Sequence, residues 1–250
     1  MKSKIFVGTA FAVLSSSVLS AIPAMAASIT NGGFESGFSG WTTVVQPGSS
    51  GNISITSGGT PPISRISRFR IPSPSEGIKY AVTDQNGPGS YVLYQDVSLE
   101  AGANHNLSFD WFAQTSVPLS DSGSTDKDVF PSQFFRVDVM SPTFNSWFGP
   151  STGGVLTTIL SPVVQLNPVS GFTNTTFDLS SFENQTIRLV FREIDNRTFF
   201  QAGVDNVSIT STARAVPVPG ILPGMILAGL YMGKRALNRK SISSANKLSA

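Results

Sequence analysis

Ile187-Arg188-Leu189-Val190-Phe191-Arg192-Glu193 is the stretch on which the fold turns. Ile187, Leu189 and Phe191 fall on one face of an extended chain, and Arg188 and Arg192 on the other, the period of two of a half-buried strand. The same alternation runs outward along the chain. In 106–112, Leu107, Phe109 and Trp111 share a face; 135–139, 91–97 and 204–209 repeat the pattern, and 52–56, 79–83, 155–160 and 172–179 carry it more weakly. Turn residues separate these runs about every ten positions, and no useful helical period intervenes. About ten short strands in one domain predict an all-β fold, an antiparallel two-sheet β-sandwich of the jelly-roll type, over residues 27–210. Two segments read as irregular, 58–77 and 116–132.

The two ends of the chain differ from this body. Lys2 and Lys4, an apolar run over 5–14 and the small-x-small triplet Ala24-Met25-Ala26 form the three parts of a secretory signal peptide, 1–26, cut before Ala27. An uncleaved anchor is the alternative. At the other end, 215–233 holds nineteen residues without a charge, and Lys234, Arg235, Arg239 and Lys240 then form a basic stop. A helix of that length matches a hydrocarbon core of roughly 30 Å, and the charges fit the positive-inside rule. We expect a linker over 211–218, one C-terminal transmembrane helix over 219–237 and a basic cytoplasmic tail over 238–250. A buried helix of a soluble domain is the competing reading.

Charge and composition narrow the function classes. Seven of the 17 Lys and Arg residues sit in the two ends, whereas all 15 acidic residues sit in the body, which therefore carries ten basic against fifteen acidic groups, or −5. That balance argues against a nucleic-acid partner, which calls for a basic face. The absence of cysteine leaves the exported body without disulfides or a thiol nucleophile.

The order Val216-Pro217-Val218-Pro219, apolar run, basic cluster resembles the C-terminal sorting signal of PEP-CTERM proteins, with Val218 where that family usually has glutamate. Asn31-Gly32-Gly33-Phe34-Glu35 with Gly40-Trp41, and the closing Gly203-Val204-Asp205-Asn206-Val207-Ser208-Ile209, resemble the first and last pieces of secreted galactose-binding-like jelly rolls. Ser132-Gln133-Phe134-Phe135-Arg136-Val137-Asp138 is similar to the motif of a Gln-Phe-x-x-Asp subfamily, with one residue more before the aspartate. The resemblance implies an inner-membrane-anchored precursor handled by an exosortase-type enzyme. It also implies final display on the surface or in the extracellular matrix of a Gram-negative bacterium, in contact with exopolysaccharide.

Three chemistries compete for the body. In modules of this look an acidic residue after the first strand meets one in the last, so Glu35 and Asp205, completed by Asn31, are candidate ligands of a structural calcium. Turn capping by Glu35 and backbone hydrogen bonding by Asp205 is the alternative. Trp147, carried by the loop 141–150, is the aromatic ring best suited to face a sugar, whereas Trp41 and Trp111 read as core. For catalysis, no Gly-x-Ser-x-Gly elbow, His-Glu-x-x-His pair or phosphate loop occurs. His105, the single histidine, reads as an exposed turn residue, and nothing local pairs Asp110, Asp138, Glu193 or Asp195. The expected function is thus an exported, anchored, non-catalytic matrix or surface protein. A lectin-like carbohydrate-binding module and a glycan-degrading hydrolase are the rivals.

Overall fold

A computed structural model describes residues 26–57, 70–149, 153–163, 165–166 and 171–214. The expected signal peptide, sorting tetrapeptide, membrane helix and basic stop lie outside these residues, apart from Ala26 and the linker's first four positions. Among the described residues no helix is long and apolar enough to cross a membrane. The chain divides into two units after Thr212, and the first of them holds the body.

The body is the expected all-β sandwich. One sheet has the order β1 (Thr42–Val45), β4 (Gly89–Leu99), β10 (Gln185–Asp195), β6 (Gln133–Met140), β7 (Val155–Val163). The other has the order β2 (Asn52–Ser57), β3 (Lys79–Asn86), β11 (Phe199–Ala213), β5 (Ala103–Thr115), β8 (Gln165–Leu166), with β9 (Thr173–Asp178) also paired to β5. The described pairs are antiparallel except the two-residue β8, which runs parallel to β5. Strand β10 is the centre of its sheet. Its eleven residues pair with β4 from Gln185↔Leu99 to Asp195↔Gly89, and with β6 on the other side from Arg188↔Met140 to Asp195↔Gln133.

The alternation that defines β10 also builds the core. Ile187, Leu189 and Phe191 turn inward and are at most 2% exposed. Phe191 meets the opposite sheet edge-on at Phe109, 5.3 Å between ring centres, and packs on Trp41 at 5.9 Å. Trp111 of β5 stacks across the layer on Phe135 of β6 at 5.8 Å. In β11 the inward phase slips by one residue. Asn206, at φ 50°, takes up the extra position, so that Val204 and Val207 both reach the core.

Parity corrects one expectation. Strand β5 begins at Ala103, which puts His105 on the inward side, fully buried, its ring nitrogens 3.0 Å from Ser211 Oγ and 2.9 Å from the Glu100 carbonyl. It is not an exposed turn residue. Beside it the Ala27 amide donates to Glu100 Oε2 at 2.7 Å, which seats the start of the body against the β4–β5 corner.

The outward faces are only partly open to solvent. Residues 141–149 fold over the first sheet and cover Val92, Met140 and Val190, together with the arginines of β10. On the second sheet Ile71 and Phe172 cover Tyr80, Val82 and Phe112. The Phe112 ring fits there because residue 203 is glycine, where a Cβ would lie 2.1 Å from the ring. Truncating Phe191 to alanine removes the main cross-sheet contact. It should cost about 3–5 kcal/mol, read as a lower urea midpoint.

Candidate functional site

The residues expected to share calcium all bond to the chain around them. Asp205 Oδ2 accepts the Ser75 amide at 2.9 Å, the Ser75 hydroxyl at 3.0 Å and the Glu76 amide at 3.1 Å. Glu35 Oε1 accepts the Ile78 and Lys79 amides at 2.7 and 3.0 Å. The two carboxylates thus clasp one loop, 75–79, from its two ends. Asn31 serves its own turn, with Nδ2 donating to the Gly37 and Ser39 carbonyls and Oδ1 accepting the Ser36 amide. Among the described residues no group of three acidic or histidine side chains is placed to hold a metal ion. Burial raises the Asp205 pKa, and the donors from Glu76, Asn206 and Ser75 work against that rise.

Trp147 is carried by a loop, as expected, but its ring is taken up by packing. It lies half-buried, stacked on Tyr94 at 4.9 Å, with the Arg188 guanidinium 4.2 Å from the Tyr94 ring centre and 5.4 Å from that of Trp147. Its carbonyl accepts Arg192 Nη1 at 2.6 Å. Burial, and then the neighbouring charge of Arg136, pull the Arg192 guanidinium down to about 10. Arg188 holds Asp96 with Nε and Nη2, at 2.6 and 2.9 Å.

The open part of the second sheet has a different chemistry. Opposite the inward Leu107, Phe109 and Trp111, strand β5 presents Asn106, Ser108 and Asp110; the register sets these across from Asp178, Thr176 and Asn174 of β9. On the other flank β11 adds Asn206, Ser208 and Thr210. Asp110 sits in the middle, accepting Asn174 Nδ2 at 2.7 Å on one oxygen and Asn206 Nδ2 at 3.1 Å on the other. At the lower end the face opens into a groove of about 530 Å³, lined by Asn104, His105, Asn106, Asp178, Ser180, Thr210 and Thr212. That volume is in the range of small-ligand clefts. Asn and Asp are poor strand formers, so their concentration on one outward face is a signal in its own right. Sequence reading missed this face because which strand flanks β5 is a matter of topology.

The carboxylates weighed for catalysis go to separate places. Asp138 is buried and paired with Arg136 at 2.8 Å; Asp110 belongs to the polar face. Glu193 and Asp195 continue the inward parity of β10 to the end of the interlayer, at 2% and 0% exposure. Gln85 Nε2 donates to Glu193 Oε1, and Asp195 Oδ1 accepts the amides of Arg197 and Thr198 at 2.9 and 3.3 Å. Burial, and then the Asp195 charge, push the Glu193 pKa well above the carboxylate range, and burial raises that of Asp195 to about 7.

The chain matches no protein-family model and no curated protein. Among solved structures it is similar to TmCBM61 in complex with beta-1,4-galactotriose (14% identity, 73% of this chain and 96% of that one, TM-score 0.45). It is also similar to a cyclase from Fischerella sp. TAU (18%, 76% and 100%, 0.46) and to the K1 cleaved adhesin domain of Lys-gingipain from Porphyromonas gingivalis W83 (13%, 72% and 96%, 0.44). Likenesses this distant assign no function.

The buried pair sets a pH dependence in cation-free buffer. With the folded pKa raised, the native state keeps protons that the unfolded chain has released, so this part of the stability is fully present below about 4, the ordinary aspartate value. It is lost as the pH rises through about 7. The denaturation midpoint should fall over that window, and Asp195→Asn should flatten the fall.

Proposed function

We propose that this chain is an exported, non-catalytic surface or matrix protein whose body binds glycan through the outward face of β9, β5 and β11. The observation that carries the reading is the density of Asn, Ser, Thr and Asp side chains on that face, running into an open groove at its lower end. Amide, hydroxyl and carboxylate groups offer both donors and acceptors, the set that matches the hydroxyls of a sugar. Asp110, fixed by amides from both neighbouring strands, stiffens the platform, so that little order is lost on binding. Export and anchoring rest on the sequence of the two ends, and with them the proposed contact with exopolysaccharide and an exosortase-type enzyme.

Glycan-array binding and pull-down with exopolysaccharide test the body. Binding should weaken roughly tenfold in Asn106→Ala with Thr210→Val, the size expected for one or two lost hydrogen bonds at about 1 kcal/mol each. Silence of the unaltered protein on every glycan would remove the reading. For the ends, intact mass of the protein recovered from its native host should show a chain that begins at Ala27; a full-length mass would overturn export by leader cleavage.

A further inference from the structure

Among the described residues, four inward oxygens at one end of the sandwich are buried without a hydrogen-bond partner, Gln85 Oε1, Gln133 Oε1, Glu193 Oε2 and Asp195 Oδ2, with the Gly87 amide also acting on the Asp195 carboxyl. The registers make them neighbours. Asp195 stands opposite Gly89 on one side and Gln133 on the other, and Glu193 stands opposite Tyr91 and Phe135. Gln85 reaches in from the other sheet. Its amide nitrogen is on Glu193, and its oxygen fills the space over Gly89, 2.4 Å from where a Cβ would lie. Glycine at 89 is what leaves room for it.

The shortfall here is of one kind. All four atoms are acceptors, so among the described residues this end of the interlayer is short of donors and of positive charge. Of the described donors nearby, the Tyr91 hydroxyl goes to the Ser50 carbonyl, Gln133 Nε2 to Thr115 Oγ1 and Gln85 Nε2 to Glu193, while the amides of Arg197, Thr198 and Gly87 serve Asp195. Arg192, next to Glu193 in sequence, points to the outward side and to Trp147. Two carboxylates buried without a counter-charge are costly. A cavity of about 20 Å³, large enough for one water-sized guest, reaches this end at Glu193 and Tyr91, its remaining lining being mostly apolar side chains such as Leu93, Phe135 and Phe191.

We infer that the interlayer holds a single hard cation of the calcium class, bound by the carboxylates of Glu193 and Asp195 and the amide oxygens of Gln85 and Gln133. An all-oxygen set of two carboxylates and two carbonyls suits such an ion and is a poor match for soft metals. The site is separate from the clasp of Glu35 and Asp205, and it binds β10, β3 and β6 together in a body without disulfides.

The test uses the full chain, stripped on chelating resin and held at pH 8. Calcium at a hundred times its Kd should raise Tm by about 5–10 °C, and terbium should luminesce on excitation through the nearby tyrosine. Glu193→Gln with Asp195→Asn keeps shape, removes both charges and should abolish the shift. The milder Gln133→Leu should weaken calcium about tenfold. No shift in the unaltered protein overturns the inference and leaves a proton or a water in that place. So does an unchanged affinity in Gln133→Leu. A shift that survives the double variant and disappears in Glu35→Gln moves the cation to the clasp and equally overturns it.

Discussion

Two sheets without a disulfide between them depend on one interlocked layer of inward side chains, and Phe191 is where that layer is tied. Its ring touches Phe109 from the opposite sheet and Trp41 from the opening turn, so a single residue of the central strand joins three parts of the chain. Burying such a ring contributes more than any one surface contact, because both transfer from water and close packing count. Trp111 on Phe135 repeats the arrangement one strand over. Everything else is hung on this layer. The β10 register fixes which residues face inward; parity then carries Glu193 and Asp195 to the interlayer end and Arg188 and Arg192 to the outside.

The outward sides show how one fold uses two surfaces differently. On the first sheet the loop 141–149 closes over the arginines and supplies carbonyls to both of them, so positive charge is buried and satisfied there apart from Arg192 Nε. On the second sheet the described cover is the cluster around Phe112. Below it, among the described residues, Asn106, Thr176, Asp178, Ser208 and Thr210 are exposed. The exposed, patterned and rigid part of the body is therefore the face of β9, β5 and β11, and the glycan reading rests on that.

Much of this was legible from alternation alone. Counting by twos from Ile187 or Leu107 identifies the strands and their inward faces, since each side chain on a pleated ribbon has only two directions to take. The same count, carried two residues further, already points Glu193 inward. Short elements escape it: β1 has four residues and β8 two, too few for a period to show. His105 reads wrongly because Gly102-Ala103-Asn104-His105-Asn106 has the composition of a turn, whereas the strand begins at Ala103. What covers a strand was not legible at all. Nothing in the local sequence of Trp147 says that it stacks on Tyr94, and nothing in that of Asp110 says that it is held between Asn174 and Asn206.

The contact between the Ala27 amide and Glu100 acquires a meaning under the proposed cleavage before Ala27. In an uncut chain this nitrogen is neutral and offers one hydrogen. In a chain that starts at Ala27 the same nitrogen is an α-ammonium, and a plain hydrogen bond becomes an ion pair at the corner where Glu100 also adjoins His105. Under that proposal, cleavage before Ala27 would strengthen the hold of Glu100 on the start of the body.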